Sequence, residues 1–268
     1  MNAHLKRWIT GLIAGPIVLV LILYGSETLF ALFITALIMG AVVEFGRMAY
    51  GKGSHPEKNL ALLPPAAIAL TAWQNQLSLM MATTALSIIM VWLFFLLAIR
   101  RKEIDIAPLG KMLVGSVAIP VLLSHLILIR EREQGLLWIM FLVVLAFSGD
   151  TVAFYTGRTL GRRKLFPEVS PAKTVEGAIG SVVGSMSGCI LFKLFYLPAL
   201  PAVHLVAMSL VGNILGQLGD LSESAIKRAY GTKDSGSIFP GHGGILDRLD
   251  FFLFSSPFIF YYRVFVIS

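Results

Sequence analysis

The sequence predicts an all-α, polytopic transmembrane bundle of about nine spans, and three observations carry that expectation. The 268-residue chain is 56% hydrophobic and only 14% charged, with a mean hydropathy of +0.80. So much apolar surface cannot be hidden from water by a chain of this size, which makes lipid the solvent. Apolar runs recur along the whole chain rather than in one block. Finally, Lys and Arg fall almost entirely into alternate loops, as the positive-inside rule requires of a membrane protein.

The runs are Trp8–Tyr24, Thr28–Val43, Leu60–Trp73, Leu77–Ile99, Met112–Ile129, Gly135–Phe154, Gly177–Leu197, Val203–Leu218 and Leu249–Ile267. The first follows Lys6 and Arg7 in the manner of a signal peptide. No short small-residue cleavage site comes after it, so it is read as a retained helix. The third run is short. Gly11, Gly15 and Pro16, Pro64 and Pro65, Pro120, and Gly180, Gly184 and Gly188 interrupt several runs. Membrane helices tolerate such residues where neighbours satisfy the freed backbone groups. Under strict alternation, all of the 22 Lys and Arg residues except Arg130, Arg132, Lys193 and Arg263 lie on one side. That side is the cytoplasm, which puts the N-terminus inside and the C-terminus outside. The same bias accounts for most of the net charge of +7.

No internal repeat, low-complexity tract or soluble domain is evident, so residues 1–268 read as a single integral membrane domain. Residues 1–134 are mainly scaffold spans, and residues 135–268 form the working half, because Asp, Lys, Arg, Gly and His gather there in two cytoplasmic segments. The lone Cys189 lies within a span and reads as a packing residue. Glu44 and His125 have no companions at ligand spacing and read as structural.

The first polar segment runs from Gly219 to Asp250. At helical spacing Asp220, Glu223, Ser224 and Lys227 share a face, with Arg228 at its edge. Alone, this would describe a solvated, salt-bridged helix end. A glycine-rich loop follows, with Lys233-Asp234-Ser235-Gly236 and Pro240-Gly241-His242-Gly243-Gly244, and successive glycines let backbone N–H groups approach an anion. Asp247 and Asp250 then project to one side of the ninth span's start. Charges at a membrane helix entrance are expensive unless paired or liganding. Together with Asp220 they make a set of hard oxygen ligands of the kind Mg²⁺ takes alongside substrate phosphates. In the second segment Asp150 needs a partner, which Lys173, Arg158 or a metal would supply. Ser170-Pro171 reads as a turn, and Lys173 and Glu176 precede the seventh span. Arg162, Arg163 and Lys164 suit topology and anionic-lipid attraction.

The stretch Ser224-x-Ile226-Lys227-Arg228-x₄-Lys233-Asp234-x-Gly236-x₂-Phe239-Pro240-x-His242-Gly243-Gly244-Ile245-x-Asp247-Arg248-Leu249-Asp250 resembles the signature of the phosphatidate cytidylyltransferases, or CDP-diacylglycerol synthases. Ser170-Pro171-Ala172-Lys173-Thr174-Val175-Glu176-Gly177 and the stretch from Asp150 to Gly157-Arg158 are similar to upstream motifs of that family. The resemblance covers roughly residues 147–252. It implies transfer of a cytidylyl group from CTP to phosphatidic acid, giving CDP-diacylglycerol and pyrophosphate. It also implies dependence on Mg²⁺, with room for a second, monovalent cation, at the cytoplasmic face of a bacterial inner membrane.

On that resemblance, Asp220, Asp247 and Asp250 are expected at the metal, with Asp150 or Glu223 as further ligands. Lys227, Arg228, Lys233 and Arg248 are assigned to phosphates, with Ser224 on the same face. Gly241, Gly243 and Gly244 are assigned to the triphosphate, and Lys173 to the lipid phosphate. His242 either donates to the departing pyrophosphate or orients the loop. The expected partners are CTP, phosphatidic acid and the bilayer, with no nucleic acid; a homodimer is left open. Two rivals are weaker. A secondary transporter places its charges near the bilayer midplane in both halves, and a CDP-alcohol phosphotransferase carries an Asp array that is missing from this sequence.

Overall fold

A computed structural model of the chain describes residues 15–51, 62–99, 105–238 and 243–267. Within them each of the nine apolar runs contains a helix: α1 (Gly15–Tyr24), α2 (Glu27–Tyr50), α3 (Leu63–Trp73), α4 (Leu77–Ile99), α5 (Ala107–Arg130), α6 (Gly135–Thr159), α7 (Val175–Tyr196), α8 (Ala202–Ala229) and α9 (Leu246–Ile267). Seven of these are long and apolar enough to cross a membrane, α1 and α3 being the shorter two. The 11 residues of α3 rise about 16 Å, roughly half of a hydrocarbon core of about 30 Å. The first part of the run assigned to α1, residues 8–14, lies outside the described residues. The protein is an integral membrane protein built of helices, with one departure from the all-α expectation. Lys164–Phe166 (β1) and Ser170–Thr174 (β2) pair as an antiparallel hairpin between α6 and α7. Ser170-Pro171, read from sequence as a turn, begins β2, and the turn falls instead at Phe166–Val169, where Val169 N donates to Phe166 O at 3.2 Å.

The residues divide into two compact units, Met1–Glu131 with Asp234–Leu246, and Arg132–Lys233 with Asp247–Ser268. In the first, α2, α3 and α5 pack on one another. Ser26 caps α2 by accepting from Leu29 N at 3.2 Å. At the other end of α2, Lys111 Nζ donates to Ala49 O at 2.9 Å, giving a cation to carbonyls that the helix leaves unpaired. Helix α5 contains a π-helical turn, Val114–Ala118, closed by Ile119 N donating to Val114 O. Its position follows from Pro120, which has no N–H for Ser116 O and whose ring would press on that carbonyl. One wider turn relieves the crowding.

In the second unit α7 lies along α6. Small residues make the approach close: an ideal Cβ on Gly184 would stand 2.6 Å from Ser148 O and the Val152 side chain, one on Gly188 2.5 Å from Ser148 Oγ, and one on Gly180 would strike Thr156. In lipid, helix association relies on such packing and on interhelical hydrogen bonds, because apolar burial offers little there. Asn213 of α8 supplies the bonds, donating to Ser181 Oγ at 3.0 Å and Ser185 Oγ at 2.6 Å. Gln217 Nε2 donates to Asn213 Oδ1 at 2.6 Å. Gly149 of α6 faces this cluster, with room for no side chain. Gly184→Val should therefore destabilise the protein by about 1–3 kcal/mol, the usual cost of overpacking, read as a lower unfolding midpoint in detergent. An unchanged midpoint would mean that α6 and α7 do not meet this closely.

Candidate active site

Helix α8 runs past the predicted span end at Leu218 to Ala229, so the polar residues that follow the span are part of the same rod. Asp220, Glu223, Ser224 and Lys227 accordingly lie along one side of it. Gly231, at φ +67°, closes the helix with its N–H on Arg228 O at 3.0 Å. Helix α9 starts at Leu246, three residues before the predicted span, which carries Asp247 and Asp250 on its first turns. The two helices nearly touch: a Cβ on Gly219 would stand 2.4 Å from Asp250 O, and one on Gly216 2.2 Å from the Phe251 ring.

The charges sort into two groups. In the first, Lys227 Nζ lies 2.5 Å from Glu223 Oε2 and 2.6 Å from Asp247 Oδ1. Glu223 is only 1% exposed, and its carboxylate is tolerable there because an ammonium is in contact with it. In the second, Lys173 of β2 forms an ion pair with Asp220. Asp250 lies within electrostatic range of Asp220, Lys173 and Lys227, and Asp150 of α6 within range of Asp220, Lys173 and Arg248. Asp150 thus has Lys173 and Arg248 as its cationic neighbours, while the direct carboxylate partner of Lys173 is Asp220.

Lys173 is held in place by its surroundings. Thr174 caps α7, its Oγ1 accepting from Gly177 N at 3.1 Å. Glu176 accepts from the backbone N–H of Arg162 at 3.0 Å and of Arg163 at 3.2 Å. The hairpin is thereby fastened to the start of α7. Arg228 is bound to the same hairpin, Nε donating to Val169 O at 3.2 Å, and also donates to Thr232 O at 3.0 Å.

The remaining expected residues are dispersed. Ser224 is buried, whereas Lys233 and Arg248 are exposed. Gly243, at φ +80°, and Gly244 belong to the described end of the glycine loop. Gly241 and His242 lie outside the described residues. Of the three carboxylates assigned to the metal, Asp247 contacts Lys227, and Asp220 and Asp250 are in electrostatic range of each other. Among the described residues no three His, Cys, Asp or Glu side chains form a group that would hold a metal ion by themselves. Two carboxylates whose like charges oppose each other do fit Mg²⁺, which takes one or two of them together with water and phosphate oxygens. Sequence reasoning passed over Glu44, whose carboxylate grips the loop that precedes Asp247: Ser235 Oγ, Ile245 N and Leu246 N all donate to it at 3.0 Å. The signal was present in an acid placed directly at the end of an apolar run. His125 stays structural, its Nδ1 donating to Val121 O of its own helix at 2.8 Å.

These features define a polytopic membrane protein with cations and carboxylates gathered on α6, β2, α8 and α9. Residues 5–266 match the Cytidylyltransferase family, and the chain belongs to that family. It is 35% identical to a phosphatidate cytidylyltransferase of Bacillus subtilis (strain 168) over 267 residues, 96% of each chain. It is 41% identical to one of Staphylococcus saprophyticus over 135 residues, 50% of this chain and 52% of the other. To that of Staphylococcus haemolyticus it is 44% identical over 126 residues, 47% of this chain and 48% of the other.

The pairing of Lys227 with two carboxylates makes a stability prediction. Lys227→Met would leave Glu223 and Asp247 without the charge between them. A fall of about 3–5 kcal/mol is expected, as for a buried ion pair that loses one partner. The midpoint of thermal unfolding in detergent measures it, and the double variant Lys227→Met, Glu223→Gln should recover part of the loss.

Proposed function

We propose that this cytidylyltransferase acts on CTP and phosphatidic acid, giving CDP-diacylglycerol and pyrophosphate, at the cytoplasmic face of a bacterial inner membrane. The observation that carries the reading is the Lys173–Asp220 ion pair with Asp150, Asp250 and Arg248 around it. Charge on membrane helices is expensive unless it has a partner or a function, and a lipid phosphate meeting a triphosphate calls for both signs at one place. The side on which Lys and Arg accumulate supports a topology with the N-terminus inside.

The reaction is an in-line displacement. A phosphatidate oxygen attacks the α-phosphorus of CTP, forming the new P–O–P linkage and breaking the bond to the β-phosphate, which leaves as pyrophosphate. A phosphate monoester is already largely dianionic near pH 7, its second pKa being about 6, so the nucleophile needs no strong base. What the protein must supply is position and neutralisation of charge. Lys173 is assigned to the lipid phosphate, exchanging the Asp220 carboxylate for another anion. Lys227, Arg228, Lys233 and Arg248 are assigned to the triphosphate and pyrophosphate, and Gly243 and Gly244 to the triphosphate. Asp220 and Asp250 are the residues that would hold Mg²⁺, whose charge would offset that of the phosphates. Asp247 fixes Lys227.

Purified protein in detergent should release pyrophosphate only when CTP, phosphatidic acid and Mg²⁺ are all present, with ATP failing to replace CTP. Release without phosphatidic acid, or equally with ATP, would refute the substrate assignment. Asp220→Asn should lower kcat on the order of 10²–10³-fold, the usual scale for losing one preorganised electrostatic group. EDTA should abolish turnover and added Mg²⁺ restore it. Turnover that survives EDTA would remove the metal from the scheme.

A further inference from the structure

We infer that Glu44 is a positioning residue for the reaction, holding Ser235, Ile245 and Leu246, which flank the glycines on which the proposed triphosphate binding depends. The inference rests on the cytidylyltransferase reading and adds to it a residue far from the signature in sequence. Glu44 lies in α2 and is only 1% exposed. Both of its carboxylate oxygens are used: Oε1 accepts from Ile245 N, and Oε2 from Leu246 N and Ser235 Oγ, each at 3.0 Å. Ser235 and Ile245 stand at the two ends of the glycine loop, so one side chain holds both ends together.

The glycines are arranged around this carboxylate. An ideal Cβ on Gly236 would stand 2.3 Å from Glu44 Oε1, and one on Gly244 2.3 Å from Oε2 and from Ser235 Oγ. Any other residue at either position would push the acid out of reach of its donors. Ile245 adds an apolar contact with the same helix, since a Cβ on Gly40 would strike its Cδ1 at 2.3 Å. Leu246, whose N–H Glu44 holds, is followed in the chain by Asp247, the partner of Lys227. A carboxylate accepting backbone N–H groups makes strong, charge-assisted bonds, and its amide isostere would turn an NH₂ group toward donors.

The test is steady-state kinetics of the full-length protein in detergent, varying CTP and phosphatidic acid separately. Glu44→Gln should raise KM for CTP about tenfold while leaving KM for phosphatidic acid within about twofold, a tenfold change being the scale of one good hydrogen bond. Glu44→Asp should fall between this and wild type. If Glu44 only stabilised the helix bundle, lost folded protein would lower Vmax and leave both KM values unchanged. That pattern, or wild-type kinetics, would overturn the inference. Should Glu44→Gln fail to fold, Ser235→Ala keeps the carboxylate and removes one donor. It should raise KM for CTP about threefold, and an unchanged KM would again overturn the inference. Wild-type protein that does not turn over CTP would defeat the substrate reading instead, so the two failures are distinguishable.

Discussion

Lys227 sits between Glu223 and Asp247, and the packing of α8 against α9 depends on that contact. An ammonium touching two carboxylates joins α8 to the first turn of α9 at a place where Glu223 is almost fully withdrawn from solvent. Without it, two like charges would face each other in surroundings of low dielectric, where repulsion is far stronger than in water. The nearness of the two helices at Gly216 and Gly219 is the steric counterpart of this pairing. Asp250 is carried into range of Asp220 by the same arrangement. Structure and the proposed chemistry thus draw on one set of charges.

Close helix approach is the second constraint. The glycine positions of α7 let α6 and α7 run side by side, and the short connection between them folds into a hairpin that presents Lys173. Glu176 binds the backbone just before β1, and Arg228 of α8 binds the hairpin turn. The cation proposed for the lipid phosphate is therefore mounted on backbone pairing rather than on a free loop, which restricts the positions it can take.

Much of this was legible in the sequence. Every apolar run holds a helix because lipid leaves the backbone no other way to satisfy itself in a single segment. The shared face of Asp220, Glu223, Ser224 and Lys227 followed from helical periodicity alone. The hairpin was not legible: Pro171 suggests a turn, yet in a two-stranded sheet each strand is an edge, where proline is tolerated. Pairings were not legible either. Periodicity gives the face on which Lys227 lies but not that Asp247 lies opposite, and it offered Lys173 as a partner for Asp150 when Asp220 takes the direct contact. Glu44 is the extreme case, since its partners are about two hundred residues away and no local pattern points to them.

That separation bears on how the protein is made. The first donor to Glu44, Ser235, lies 191 residues further along the chain. At ordinary synthesis rates of about 5–20 residues per second, roughly 10–40 s pass before it leaves the ribosome. During that interval α2 is already available for insertion, while the donors that Glu44 meets in the folded protein are still missing. The clasp on Ser235, Ile245 and Leu246 can then close only after more than two hundred residues have been delivered to the membrane.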